Sequence, residues 1–309
     1  MRQIFVNLKR FEVPKEKGGL CPQADPAAWI ESVIDETVEL GLGQQENLQL
    51  TYMLPEGLLF PAVSRLQTLP QERRARIAIG VQGVHWDDIR PGKNFGAFTA
   101  SLPAAAAASL GARWAIIGHS EERKAKLQVL ETFEPGIGSE NELRARAARA
   151  VDRLIQAEVG CALDAGLQVL LCMGETAEER GDGQFEEQKP RIEAVLKAQL
   201  EAGLQDAGQA LKEQRVVIGY EPVWAIGPGK TPPGEAYIAF VSGFIKRTAR
   251  ELSGYEPAVV YGGGLKEENA AMIAGIESID GGLVALTRFT GEIGFEVSGL
   301  KGIVEKYLA

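Results

Sequence analysis

The chain has 309 residues and a net charge of −9, with 45% hydrophobic and 24% charged residues. This composition is typical of a globular protein with a sizeable core, and the interleaved acids and bases exclude the basic face that nucleic-acid binding needs. The first residues, MRQIFVNLKRFEV, lack the apolar core of a signal peptide, and no apolar run approaches a membrane span, so we expect a soluble, cytoplasmic protein without a membrane partner.

Short apolar runs alternate with longer amphipathic patterns along the chain. The first run, QIFVN, predicts a strand, and DPAAWIESVIDETVELG then predicts a helix capped by Asp25, with Pro26 in its first turn. Ile30, Val33, Ile34 and Val38 lie on one face of that helix. Seven further runs predict strands, in the order LQLTYML, RIAIGVQ, ARWAIIGHS, LQVLLCMGE, RVVIGYEP, PAVVYGGG and GGLVAL.

These strands are apolar almost throughout, and helical patterns separate most of them. Such strands are buried on both faces, which is typical of a parallel sheet. Eight units of this kind predict an α/β fold, a closed (β/α)8 barrel of parallel strands; an open doubly wound sheet is the alternative. We expect one domain over residues 1–309, with a surface excursion at about 124–141, where Pro and Gly interrupt the pattern.

Barrels of this kind carry their chemistry at the carboxyl ends of the strands. Polar or glycine-rich positions occupy these ends: Asn7 and Lys9 after strand one, Gln82 after three, His119 after four, Glu175 after five, Glu221 after six and Gly262–Gly264 after seven. Only two histidines are present, and Cys21, Cys161 and Cys172 have no regular spacing. The sequence therefore predicts reduced thiols and no metal site.

Glu221 opens the segment EPVWAIGPGKT, in which a stiff piece lies between glycines that can bend. That arrangement is typical of a lid, although a single glutamate at a strand end is more often a solvated loop acid. The segment is not a P-loop, because Trp224 occupies the position of the first glycine. His119 follows Gly118 and can begin a helix, whose amino terminus favours a neutral imidazole.

Several segments carry a resemblance to a known family. GHSEER, YEPVWAIGPGKT, VVYGGGLKEENA and SIDGGLVAL resemble segments of the triosephosphate isomerase family, in that order and at about that spacing. NLK near the start, VQGVHW, GAFTA and LLCMGET are similar to further segments of the family. The resemblance covers nearly the whole chain.

The resemblance implies an aldose–ketose isomerase that interconverts glyceraldehyde 3-phosphate and dihydroxyacetone phosphate through an enediol, without a cofactor, in glycolysis and gluconeogenesis. Glu221 would be the base, and a neutral His119 would polarise the carbonyl, which is the pairing known for that family. Lys9 would stabilise negative charge, and Asn7 would hydrogen-bond the substrate or hold the lysine. Ser120 and Glu121 would organise His119.

The resemblance also implies residues that enclose and bind a small phosphorylated sugar. The lid would comprise Ala225, Ile226, Pro228, Gly229 and Lys230. Phosphate would be bound by Gly227, Gly263, Gly264, Ala285 and Leu286, with Arg288 as a further candidate. Thr99 matches the segment that reaches into the neighbouring subunit, which implies a homodimer.

The sequence departs from the family in its phosphate loops. The family's Gly-Gly-Ser after strand seven is Gly262–Gly264 here, and its two glycines after strand eight are Ala285 and Leu286. Pro228 removes an N–H from the lid, and Glu122 stands where an arginine is expected. Two alternatives therefore stay open: an isomerase of another small sugar phosphate such as a tetrulose phosphate, and a non-catalytic binding or regulatory barrel.

Overall fold

The computed structural model describes residues 1–227, 229–289 and 291–309. Parallel strands close into one barrel in sequence order, and the first and last pair through Val6 and Val284. The strands are β1 Arg2–Asn7, β2 Leu48–Leu54, β3 Ile77–Val81, β4 Trp114–Ile117, β5 Gln168–Met173, β6 Val216–Tyr220, β7 Ala258–Tyr261 and β8 Gly281–Val284. The predicted closed barrel is confirmed, and the open-sheet alternative is wrong.

Helices follow the strands around the outside of the barrel. Their bounds are α1 Pro26–Glu39, α2 Glu56–Thr68, α3 Gln71–Arg74, α4 Ala104–Ser109, α5 Ser120–Phe133, α6 Asn141–Asp164, α7 Ala177–Arg180, α8 Phe185–Gly203, α9 Gly208–Lys212, α10 Glu235–Ser253, α11 Glu267–Ala274 and α12 Val297–Leu308. The predicted cap of α1 is confirmed, since the Asp25 side chain accepts a hydrogen bond from the N–H of Ala27 at 2.9 Å. No helix among the described residues has the length and apolar character to cross a membrane.

The core has two layers because side chains alternate across each strand. Phe5 points into the barrel, whereas its neighbours Ile4 and Val6 pack outward against the helices. The inner layer consists of Phe5, Met53, Trp114, Ile116, Leu170, Cys172, Val217, Val260 and Leu283. This packed interior leaves the rim at the carboxyl ends of the strands as the place for polar side chains.

Residues 124–141 include the larger part of α5. This helix runs to Phe133 without a single buried residue, and Pro135 and Gly136 then form a short 3-10 turn before α6 begins. The repeated apolar positions in KLQVLETF favour a helix locally, but Val129 and Phe133 are exposed. The segment therefore lies on the surface of the barrel.

Candidate active site

Glu221 follows β6 directly and lies at the rim with only 2% of its surface exposed. Its two carboxylate oxygens accept hydrogen bonds from Ser120, at 3.0 Å from the backbone N–H and 3.0 Å from the hydroxyl. The Nε2 atom of His119 lies 3.2 Å from the Oε1 atom of Glu221. A buried carboxylate and an imidazole thus face each other directly.

The backbone at Glu221 fits between two glycines. A Cβ atom on Gly174 would lie 1.7 Å from the carbonyl oxygen of Glu221, and one on Gly262 would lie 2.9 Å from its Cγ atom. Real Cβ atoms do not approach other atoms so closely. The ends of β5 and β7 therefore admit no side chain at these positions, and this fixes where Glu221 leaves β6.

His119 is the residue that caps the amino terminus of α5. Its Nδ1 atom accepts a hydrogen bond from the N–H of Glu121 at 3.3 Å, as expected for a cap. An Nδ1 atom that accepts a hydrogen bond carries no proton, so a ring with a single proton has it on Nε2, facing Glu221. Gly118 allows the chain to turn here, because its φ of +78° lies in the left-handed region.

Lys9 is held in an unusual backbone conformation at the same rim. Its φ is 44°, which is uncommon for a residue other than glycine. The side chain of Asn7 accepts the N–H of Lys9 at 3.0 Å, and the amide of Gln82 donates to the carbonyl of Lys9 at 2.8 Å and to the Asn7 side chain at 3.1 Å. Gln82 also donates to the carbonyl of Met53 at 3.1 Å.

Glu121 connects Lys9 with His119. Its carboxylate lies 2.7 Å from the Nζ atom of Lys9 and 3.8 Å from the Nδ1 atom of His119. Partial burial raises the pKa of Glu121, but the hydrogen bond and charge of Lys9, with a contribution from His119, outweigh it and leave this pKa below its ordinary value. Ser120, in contrast, makes its polar contacts with Glu221.

A buried carboxyl cluster lies behind His119. Glu122 accepts the N–H of Gly118 at 2.6 Å and forms an ion pair with Lys126, whose Nζ atom also lies 2.8 Å from Glu158. Burial, and then the charge of Glu122, raise the pKa of Glu158 to about 9. Glu122, which departs from the family pattern, thus supports the turn that presents His119.

Both ends of the proposed lid are attached to one buried carboxylate. The Oε1 atom of Glu175 accepts hydrogen bonds from the hydroxyl of Tyr220 at 3.0 Å, the indole of Trp224 at 2.7 Å and the hydroxyl of Tyr237 at 2.7 Å. Trp224 precedes the lid, and Tyr237 lies in the first turn of α10, after it. Arg180 stacks on the Trp224 ring at 3.8 Å, and burial raises the pKa of Glu175.

The segment between these attachments reaches into solvent. Ala225 is buried and Ile226 half-buried, whereas Gly227, Gly229 and Lys230 are exposed. The N–H of Lys230 donates to the carbonyl of Gly227 at 3.3 Å. Pro228 lies outside the described residues.

Two loops at the rim that contains Glu221 present backbone N–H groups. Gly263 and Gly264 follow β7, Ala285 and Leu286 follow β8, and all four are half-buried. Among the residues that the structure describes, the N–H groups of Gly263, Gly264 and Leu286 have no backbone acceptor. Such groups can bind an anion.

Arg288 and Thr99 are the two predicted site residues that remain. The guanidinium of Arg288 contacts Glu292 and Glu296 of its own loop. Thr99 is exposed, in a loop where the N–H of His85 donates to the carbonyl of Leu102 at 2.9 Å. Neither side chain forms a hydrogen bond with the Glu221 cluster within the described part of the chain. All three cysteines are free.

Comparison with known proteins gives matches to triosephosphate isomerases. A triosephosphate isomerase of Oleidesulfovibrio alaskensis is 35% identical over 192 residues, which covers 61% of this chain and 65%, slightly under two thirds, of that protein. One of Chlorobium phaeobacteroides is 32% identical over 256 residues, covering 81% and 87% of the two chains. The crystal structure of the Bartonella henselae triosephosphate isomerase superposes with a TM-score of 0.65 at 23% identity over 100% of this chain and 99% of that one, a likeness of fold.

A family model for triosephosphate isomerase matches residues 36–292. This range contains His119, Glu221 and the loops after β7 and β8, while Asn7 and Lys9 precede it. By this match, and by the relatives above, the chain belongs to the triosephosphate isomerase family.

Proposed function

We propose that this chain is an isomerase that interconverts glyceraldehyde 3-phosphate and dihydroxyacetone phosphate by proton transfer. The observation that carries the proposal is the 3.2 Å approach of the His119 Nε2 atom to the Glu221 carboxylate at a buried rim. A carboxylate base beside a hydrogen-bond donor is the pair that enolisation next to a carbonyl needs. The relatives described above are triosephosphate isomerases, which supports the same reaction.

In the proposed mechanism Glu221 removes a proton from the carbon next to the carbonyl and later returns a proton to the former carbonyl carbon. The N–H of His119 donates to the carbonyl oxygen as negative charge develops there, and the ring then moves protons between the two oxygens of the enediol. The ammonium of Lys9 stabilises the same charge. Ser120 holds the Glu221 carboxylate through two hydrogen bonds, so the carboxylate must turn from Ser120 towards the substrate.

The phosphate of the substrate binds between the lid and the loops after β7 and β8. The N–H groups of Gly263, Gly264 and Leu286, which have no backbone acceptor among the described residues, support this assignment, with Gly227 and Ala285 as further contacts. The segment from Ala225 to Lys230 closes over the bound sugar and excludes water. Attachment of both its ends to Glu175 leaves the exposed tip as the part that moves.

The chain also forms a homodimer in this proposal, through the loop that contains Thr99. This loop exposes Trp86 and Phe95, the latter with 87% of its surface accessible, and a partner subunit would cover these apolar side chains. The proposal places the protein in the cytoplasm, in glycolysis and gluconeogenesis. The free state of Cys21, Cys161 and Cys172 agrees with a reducing compartment.

The test compares Glu221→Gln and Glu221→Asp with the native protein on glyceraldehyde 3-phosphate. Loss of the base lowers kcat by about 10²–10⁴-fold in Glu221→Gln, and retraction of the carboxylate by one methylene lowers it by about 10²-fold in Glu221→Asp. The exposed Glu235→Gln is the control, and its kcat should change less than about twofold. If Glu221→Gln keeps its turnover, Glu221 is not the base.

A further inference from the structure

The loop after β8 is braced by Arg288. Its Nε atom donates to the carbonyl of Glu292, its Nη1 atom pairs with Glu296, and its Nη2 atom lies 3.3 Å from the Glu292 carboxylate. The backbone of Arg288 also bridges to Gly294, with N–H to carbonyl distances of 3.1 and 3.2 Å. Each guanidinium nitrogen is therefore engaged inside the loop, and a phosphate would have to displace two carboxylates to reach it.

A second brace comes from the loop after β1. The Nζ atom of Lys15 lies 2.8 Å from the Glu292 carboxylate, which it shares with Arg288. Lys15 stands in a short 3-10 helix that is itself fixed, because the N–H of Lys15 donates to the carbonyl of Cys21 at 3.0 Å and Cys21 is buried. The hydrogen bond and charge of Lys15, followed by the charge of Arg288, lower the pKa of Glu292.

The network therefore joins two loops that the proposed reaction uses. The loop after β1 contains Lys9, and the loop after β8 begins with Ala285 and Leu286, two residues before Arg288. A single exposed ion pair contributes little, but charges that share a partner in a network contribute more.

We infer that Lys15, Glu292 and Arg288 position the backbone N–H groups of Ala285 and Leu286 for the phosphate, so that Arg288 acts as a positioning residue and not as a phosphate ligand. The inference rests on the proposed function for the identity of the substrate. Its test does not, because binding of inorganic phosphate can be measured without the reaction. Its consequence is a change in phosphate affinity, and therefore in KM, with little change in kcat.

The experiment uses the full chain and compares Lys15→Met, Arg288→Gln and the double variant. Lys17→Met is the matched control, because Lys17 lies in the same 3-10 helix and forms no ion pair within the described ranges. The readouts are the affinity for inorganic phosphate, from its effect on Tm, and kcat and KM for glyceraldehyde 3-phosphate. Non-phosphorylated glyceraldehyde serves as the substrate that the network should not affect.

We expect Lys15→Met to weaken phosphate binding and raise KM by about two- to fivefold, the range of an exposed ion pair. Arg288→Gln should weaken phosphate binding and raise KM by about five- to tenfold, since it removes two ion pairs. The double variant should have about the same phosphate affinity and KM as Arg288→Gln alone, because both changes disrupt the same ion-pair network. Turnover of glyceraldehyde and the behaviour of Lys17→Met should stay within about twofold of the native protein.

Two results would overturn the inference. One is equal phosphate affinity in Lys15→Met and Lys17→Met. The other is a loss in Arg288→Gln that adds fully to that of Lys15→Met, which is the behaviour of a direct ligand. If the native protein does not isomerise the triose phosphate but Lys15→Met still weakens phosphate binding, the proposed function fails and the inference stands.

Discussion

The side-chain amide of Gln82 lies 2.8 Å from the carbonyl oxygen of Lys9, and the two residues are 73 positions apart in the chain. This contact, together with the Asn7 side chain on the N–H of Lys9, holds a lysine whose φ is 44°. A non-glycine residue in that region is strained unless its surroundings fix it. Gln82, which follows β3, therefore helps to orient Lys9, which follows β1.

The first prediction concerns Gln82→Leu. The carbonyls of Lys9 and Met53 and the side chain of Asn7 lose their donor, which should lower the free energy of unfolding by about 1–3 kcal/mol in urea titrations. Release of Lys9 should also lower kcat/KM by about 10-fold or more, since misplacement of a catalytic group by an ångström is costly.

Gln49→Leu is the control for this variant. Gln49 donates to the carbonyl of Arg76 at 3.1 Å from β2, towards the opposite end of the barrel. Its loss should destabilise the fold without lowering kcat/KM of the folded protein. Equal kinetic effects of the two variants would contradict a role for Gln82 in placing Lys9.

The second prediction concerns the pH dependence of stability and the cluster of Glu158, Glu122 and Lys126. The ammonium of Lys126 compensates one carboxylate and not two, and burial raises the pKa of Glu158 from its ordinary 4.5 to about 9. The folded state then binds more protons than the unfolded state between these values. The free energy of unfolding should therefore fall as the pH rises from about 4.5 to about 9.

Glu158→Gln keeps the shape of the side chain and removes its titration. Between pH 6 and pH 9 it should lose less stability than the native protein, by about 1 kcal/mol or more, because each unit of pKa shift corresponds to about 1.4 kcal/mol. Urea unfolding at the two pH values measures the difference, and the exposed Glu142→Gln should behave like the native protein. Parallel pH dependences of Glu158→Gln and the native protein would show that Glu158 stays ionised when folded.

The third prediction concerns Tyr237→Phe. The variant removes one of three hydrogen bonds to the Glu175 Oε1 atom, the one that attaches the start of α10. We expect a loss of about 1 kcal/mol in the free energy of unfolding. We also expect kcat/KM to fall by about two- to tenfold, since one end of the lid is no longer held.

Tyr255→Phe, near the other end of α10 and partly exposed, is the matched control and should change neither quantity. Separate values of kcat and KM, with urea titrations of both variants, provide the measurement. A Tyr237→Phe protein with native kinetics would show that the contact with Glu175 stabilises the fold alone.

Much of the fold could be predicted from the sequence because its signals are local. Each strand is a short apolar run, and parallel strands necessarily bring their carboxyl ends to one rim. That rule alone places Asn7, His119 and Glu221 near each other, without any knowledge of their contacts. The helix cap at Asp25 could likewise be predicted from the sequence, since the capping hydrogen bond joins residues only two positions apart.

The remaining contacts of the site depend on long-range geometry, which no periodicity records. The strand-end rule predicts that Gln82 and Glu175 lie at the rim. It does not predict that Gln82 contacts the Lys9 backbone, or that Glu175 binds Tyr237, 62 positions away. Arg288 shows the converse. A cation beside an expected phosphate loop suggests a ligand, whereas the acids Glu292 and Glu296 of the same loop pair with it.

The glycine at position 174 has a consequence for engineering. Because any Cβ there would collide with the carbonyl of Glu221, even alanine at this position must displace the backbone of the proposed base. A saturation library would thus find Gly174 as intolerant as a catalytic residue, although it contributes no functional group. Directed evolution towards longer sugars therefore has to keep Gly174 unchanged.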